Sequence, residues 1–233
     1  MIKAYYTATN GAISNQNYLD VLSNNMANIQ TEGFKKTKAE FSDLLYTNIR
    51  EPEGANSDLK SGSGSRINKT DVIFSQGAPY LTGAPTDFAI TGEGFFAIQF
   101  EEENLFTRGG SFDITNIDDE NYLTYQGGYV LSKDEEPIII ENTDDILDVG
   151  VFIFANNADL AQAGNNLYRI SNEDAEYSLL ENAKVMKGYL EASNVEVSEE
   201  MVKLIQIQRA FQLNSKIIQT ADEIEQTINS LKG

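Results

Sequence analysis

Apolar residues at the start of the chain recur at alternating intervals of three and four. Tyr5, Ala8, Ala12, Asn15, Leu19, Leu22, Met26 and Ile29 form this series, the heptad seam by which one helix meets another. Two slots are Ala and one is Asn, so the stripe is narrow and suits close approach of backbones. Gly33 supplies a stop, since glycine enters the left-handed conformation past a helix end without steric cost. Phe34 is placed to fold back as the accompanying apolar contact. The spacing predicts one long helix in residues 1–33.

The C-terminal segment follows the same rule. Ile207, Ala210, Asn214, Ile217, Ala221, Ile224, Ile228 and Leu231 repeat at three and four. Ser198 is a candidate N-cap, and Glu199 and Glu200 stand in the first turn, where the helix dipole favours them. The two series mirror each other. Run antiparallel, they pair Tyr5 with Leu231, Ala12 with Ile224, Leu19 with Ile217 and Ile29 with Ile207. The expectation is an antiparallel coiled-coil hairpin whose helices are about 38 Å long at about 1.5 Å per residue.

Between the helices the periodicity changes. Residues 34–69 read as an extended or loop linker, with the polar, Gly/Ser-rich run 51–66 at its centre. From about residue 70 the signals are strands and turns. Phe88–Ile90 leads into the turn at Gly92–Gly94, and Phe95–Phe100 is an apolar strand. Short strands carrying Phe106, Phe112, Ile114, Tyr122, Leu123, Tyr129 and Leu131 are punctuated by Gly109–Gly110 and Gly127–Gly128. The middle, residues 70–190, is expected to be all-β, and residues 191–233 to form the C-terminal assembly helix. The predicted fold class is α+β: two long terminal helices in a coiled-coil hairpin and an all-β middle domain.

Composition sharpens this picture. The net charge is −19, yet residues 1–50 carry +1 and residues 194–233 carry −2, so residues 51–193 hold −18. Near-neutral ends pack in quantity without self-repulsion, while an acidic middle stays solvated. Nucleic acid is excluded as a partner, because phosphate contacts need a basic face. There is no His and no Cys, which removes the commonest general base, the thiol nucleophile and most zinc ligands. No segment approaches the roughly 20 apolar residues of a membrane span, and residues 1–30 show no signal-peptide pattern.

No catalytic constellation stands out. The GEGFF run at 92–96 joins strands and opens no helix, so it is not a phosphate loop. The run Asp118-Asp119-Glu120-Asn121 lacks the alternating ligand spacing of a calcium loop and reads as a solvated hairpin turn. No catalytic residue, metal ligand, cofactor or small-molecule substrate is expected. Asn24, Asn25 and Asn28 are unusual, because Asn is a poor helix-interior residue. Either the helix frays there, or these amides bond to backbone or to neighbouring subunits. The terminal seams also have two readings. They pack on their own β-domain, or they associate with other copies, and the narrow stripe favours the second.

Several stretches resemble one family. DVLSNNMANIQTEGFKKTKAEFSDLLY (20–46) and GYLEASNVEVSEEMVKLIQIQRAFQLNSKIIQTADEI (188–224) resemble the N- and C-terminal signatures of bacterial flagellar basal-body rod and hook proteins. FSQGAPYLTGAPTDFAITGEGFFAI (74–98) and FTRGGSF (106–112) resemble the central β-domain of that family. The run FSDLLYTNIREPEGANSD (41–58) is similar to the segment that marks subunits of the distal part of the rod. One departure is Gly109, where the family usually has an acidic residue. The chain is also short in the β-domain.

The resemblance implies a structural, non-enzymatic subunit of the basal body, outside the cytoplasmic membrane. Its terminal helices would line a helical tube and its acidic β-domain would face outward. Its partners would be copies of itself, other flagellar rod and hook proteins and the flagellar export apparatus. Export would need no cleaved signal peptide. Phe41 and Leu45, in FSDLL, are similar to the short element read by the export gate. A proximal-rod or hook-type subunit is the nearest alternative. A secreted adhesin-like binding module is an alternative of another class, and it would require an anchor or a signal.

Overall fold

The computed structural model describes residues 2–48, 60–100, 103–140, 148–172 and 175–232. Residues 51–59, most of the polar run 51–66, lie outside the described residues. The chain divides into two compact units. One comprises Met1–Ala27, Thr37–Val72 and Glu196–Gly233; the other comprises Asn28–Lys36 and Ile73–Val195.

The first unit holds the two helices. Helix α1 spans Ile2–Ala27 and helix α2 spans Val197–Lys232. Beside them lies a ribbon absent from the sequence reading. Thr37–Asp43 pairs antiparallel with Ser65–Val72, with a bulge where Glu40 faces Lys69 and Phe41 faces Ile67. Thr47–Asn48 pairs with Lys60–Ser61. The ribbon is fixed to α1 by polar contacts: Ser14 Oγ donates to Ser65 O at 2.7 Å and Asn10 Nδ2 to Ser63 O at 3.2 Å. Helix α2 begins at Val197, so Ser198 lies inside its first turn rather than capping it.

The coiled-coil hairpin expected from the two seams is not what forms. The helices meet, but not in the paired register. Gly11 would face Glu225 in that register. Instead a Cβ built on Gly11 would stand 2.8 Å from Asn214 Nδ2, eleven residues nearer the start of α2. Asn25 Nδ2 donates to Glu200 Oε2 at 3.2 Å. Helix α1 ends at Ala27, so Ile29 stands beyond it. At the opposite end of the predicted seam Tyr5, Ile217, Ile224, Ile228 and Leu231 are exposed, Leu231 by 81%. A coiled coil buries its seam residues as knobs in facing holes; here Ala8, Ala12 and Leu22 are buried and most of the α2 seam is not. The α+β class stands without the hairpin.

The second unit is mostly β. Its main sheet runs in the order Leu160–Gly164, Leu167–Ile170, Glu103–Thr107, Phe95–Phe100, Gly128–Val130, Glu120–Tyr125, Asp113–Ile117. Val151–Phe154 pairs with both Phe95–Phe100 and Tyr177–Leu179. The strand Phe95–Phe100 is central, and Phe95, Phe96, Ala97 and Ile98 are all buried, as expected of a strand covered on both faces. Its side chains alternate between two clusters. Phe96 and Ile98 join Phe88, Ile90, Phe112, Leu123 and Val130 in the aliphatic core. Phe95 joins Phe74, Phe154 and Tyr168 in a run of edge-to-face rings. Asp118 and Asp119 take positive φ of 54° and 68° and form the two-residue turn between Asp113–Ile117 and Glu120–Tyr125.

Candidate assembly surface

In the helical unit, burial separates small residues from large ones. On α1, Ala8, Ala12, Ser14, Leu22 and Asn25 are buried, and Asn15, Leu19 and Met26 are half-buried. On α2, Ile207, Ala210, Asn214 and Ala221 are half-buried, while Ile217 is 47% exposed and every described residue from Asp222 to Leu231 is exposed. Ala4, Leu213, Lys216, Ile217, Thr220, Ala221 and Ile224 line an open, almost wholly apolar groove. Its larger aliphatic side chains, Leu213, Ile217 and Ile224, recur at helical spacing and are exposed. Large exposed aliphatics in such a row exceed the single scattered residues normal on a protein surface.

Asn25 has a defined task. Its Nδ2 donates to Thr37 O at 2.9 Å and its Oδ1 accepts from Thr37 N at 2.9 Å, so the amide continues the ribbon's backbone pairing. The buried Glu200 accepts from Asn25 through Oε2 and from Lys203 Nζ through Oε1 at 2.7 Å. That hydrogen bond from Lys203 to Glu200 raises the pKa of the Lys203 ammonium above the usual lysine range. Asn24 is exposed. Asn28 Oδ1 accepts from the Thr31 hydroxyl at 3.1 Å, in the turn after α1. Phe41 is 42% exposed on the ribbon, with its ring edge-on to Tyr18 at 5.3 Å, and Leu45 is 87% exposed.

In the β unit, Gly33 and Phe34 are buried. Gly33 has φ +64°, and a Cβ there would lie 2.5 Å from the Arg108 carbonyl and Gly109 N. Beside it is a charged cluster that sequence reading missed. Lys35, Arg108 and Glu191 are buried to within 3%. Lys35 Nζ donates to Glu191 Oε1 at 2.5 Å and to Ser75 O at 2.8 Å. Arg108 Nε stands 3.3 Å from Glu191 Oε2, near enough for charge attraction but not aligned as a hydrogen bond. Arg108 also donates to Gly94 O and Gly92 O. Burial pulls both cations below their usual range, and the Glu191 carboxylate opposes this. The only hint in the sequence is that Lys35 and Arg108 flank glycines, Gly33 and Gly109, in the family-like runs. At Gly109 a Cβ would stand 2.4 Å from the Tyr125 hydroxyl, so a larger residue there would require that ring to shift.

The protein thus has two terminal helices and a mostly β unit between them in sequence, and comparison with known proteins identifies its family. Residues 6–35 match the family model for flagella basal body rod proteins. Residues 89–159 match the D1 domain of flagellar hook protein FlgE/F/G, and residues 186–231 match the C-terminal model of flagellar basal body rod FlgEFG proteins. Among relatives, flagellar basal-body rod protein FlgG of Buchnera aphidicola subsp. Acyrthosiphon pisum is 33% identical, covering 99% of this chain and 100% of its own length. FlgG of Bacillus subtilis is 32% identical over 100% of both. FlgG of Borreliella burgdorferi is 34% identical over 100% of this chain and 99% of its own length. The chain belongs to the flagellar basal-body rod protein FlgG family, the structural subunits of the distal rod. The first two alignments span 272 and 263 positions against 233 residues here, so these relatives carry insertions relative to this chain. No helix among the described residues is long and apolar enough to cross a membrane.

Proposed function

We propose that this rod subunit assembles with copies of itself, through the exposed apolar faces of its terminal segments, into a helical tube that transmits torque from motor to hook. The observation that carries this reading is the uncovered row Ile217, Ile224, Ile228 and Leu231 on α2, beside the groove that begins at Ala4. Fully burying one such side chain stabilises by about 1.5–3 kcal/mol, so covering the row in a polymer outweighs leaving it in water. The unit made of Met1–Ala27, Thr37–Val72 and Glu196–Gly233 carries the assembly helices, and Asn28–Lys36 with Ile73–Val195 is the β-domain. The acidic middle keeps the assembly soluble. The exposed part of the row, Tyr5 on α1 with Ile217, Ile224, Ile228 and Leu231 on α2, is the self-assembly seam, and Ala8, Ala12 and Leu22 are already buried within the chain.

The further partners are the other rod and hook proteins above and below it along the axle. The export apparatus delivers it without signal cleavage, with Phe41 and Leu45 as the recognised element. It stands outside the cytoplasmic membrane and catalyses nothing. The test is imaging of purified basal bodies with this subunit labelled. Label along the distal rod supports the reading, and label confined to the cytoplasm or absent from the axle ends it.

A further inference from the structure

The chain passes between its two units four times: at Ala27–Asn28, Lys36–Thr37, Val72–Ile73 and Val195–Glu196. On the β side of the last three passages lie the segments 33–36, 73–77 and 191–195, and side-chain hydrogen bonds sew these three together. Asn194 Nδ2 donates to Ile73 O at 2.7 Å and to Ser75 O at 3.0 Å, while its Oδ1 accepts from Lys36 N at 2.7 Å. Its own N–H donates to Phe34 O at 3.3 Å. Glu191 Oε1 accepts from Gly77 N at 2.7 Å as well as from Lys35, and Lys35 reaches Ser75 O. Gly33 N donates to Glu191 O at 2.7 Å, and Ile73 N to Lys36 O at 2.9 Å.

Stability alone does not account for such an arrangement. A buried ion pair is often matched by well-packed apolar residues of similar volume. What charged and amide groups add is direction, because each bond fixes an angle and each orphaned partner is costly. Here the bonds of Lys35, Glu191 and Asn194 fall where three chain passages leave the β unit, outside the cluster around Phe96 and Ile98, while Phe74 ties the same place to the ring run through Phe95 and Tyr168.

We infer that Lys35, Glu191, Arg108 and Asn194 form a clasp that bundles three of the four chain passages into one connection, so that load carried along the backbone from one unit to the other is shared among them. This rests on the torque-bearing reading above. The test uses the full chain carrying Asn194→Ala, with hydrogen exchange read amide by amide. The amides of Lys36, Ile73, Gly77 and Asn194 are expected to exchange at least tenfold faster, while sheet amides such as Leu123 and Leu131 keep their rates. Unchanged rates at the passages, or equal acceleration throughout the sheet, overturn the clasp.

Where Asn194→Ala fails to fold, Asn194→Asp serves instead. It keeps the acceptor for Lys36 N–H and loses the donors to Ile73 and Ser75, and the same two outcomes decide. In cells, Asn194→Ala is expected to swim in thin medium and to lose speed disproportionately in viscous medium. Wild-type speed under high viscous load overturns load sharing. Failure of the unmodified subunit to enter the axle would refute the tube reading alone, since the exchange measurement is made on the unassembled chain.

Discussion

Ile217→Asp separates assembly from folding. Ile217 is 47% exposed and lines the groove between Ala4 and Ile224. About half of its side chain is therefore available for burial by another copy, worth about 1 kcal/mol against about 1.5–3 kcal/mol for a whole aliphatic side chain. An aspartate at the same place adds the cost of desolvating an unpaired carboxylate, which brings the loss to at least about 3–4 kcal/mol per subunit. At about 1.4 kcal/mol per tenfold, the concentration needed for assembly rises by a factor on the order of 100 or more. Within the single chain the substitution removes only partial contacts and is expected to cost about 1 kcal/mol. Gln219→Asp is the control. It adds the same charge to the same helix two residues, about 200°, around, and Gln219 is exposed. Sedimentation of assembled material across a concentration series reads the first effect, and thermal melting of the unassembled chain reads the second. Assembly of Ile217→Asp at the wild-type concentration refutes the assigned face, as does equal inhibition by Gln219→Asp.

Other substitutions test other links. Leu22 is 1% exposed, so Leu22→Ala should destabilise the helical unit by about 2–5 kcal/mol, read from its denaturation midpoint. Gly33→Ala should cost more than about 1 kcal/mol, since φ is +64° and the new Cβ would meet the Arg108 carbonyl at 2.5 Å. Burial holds the Tyr168 hydroxyl above the usual tyrosine value of 10.0. The unfolded chain therefore releases that proton first, and stability present below pH 10.0 is lost as pH rises beyond it. Lys35 acts in the opposite direction: burial depresses it below 10.5, so its contribution improves as pH climbs toward that value. Tyr168→Phe should flatten the alkaline fall measured by urea denaturation above pH 10.0, and an unchanged slope contradicts this account.

Both helices and the β character of the middle were legible because periodicity reports local burial. Register was not. A shift of eleven residues is close to three full turns at about 3.6 residues per turn, so it brings nearly the same faces together. A seam made of Ala, Asn and Ile tolerates either setting. What selects the observed one are residues outside the seam: Gly11, which leaves space for Asn214, and Asn25, which meets the buried Glu200. A heptad count passes over such residues. The ribbon Thr37–Asp43 with Ser65–Val72 was hidden for another reason. Its partners are separated by a long polar run, and its strands are mostly exposed, with alternation confined to the first few residues of each. Lys35, Arg108 and Glu191 were invisible because a charged residue reads as solvated until its partners are known, and those partners lie far apart in sequence.

The slipped register has a physical consequence that can be tested by truncation. Helix α2 has 36 residues and α1 has 26, and the slip leaves Asp222–Leu231 with every side chain exposed. Those positions include Ile224, Ile228 and Leu231, exposed by 41%, 39% and 81%. The rest of the groove lining, from Leu213 to Ala221, lies before the projecting end, and Ile224 alone belongs to both. Association that joins unlike surfaces runs head to tail, and unless its rotation closes a ring it grows as an open helix. Removing residues 222–233 should therefore leave the remaining fold within about 0.5 kcal/mol of its original stability, as for other surface changes. The same truncation should abolish sedimenting assemblies and swimming. A truncated chain that still polymerises at the original concentration would show that this overhang contributes nothing to the axle. One that loses several kcal/mol of stability would show that the exposed end is held within its own protomer after all.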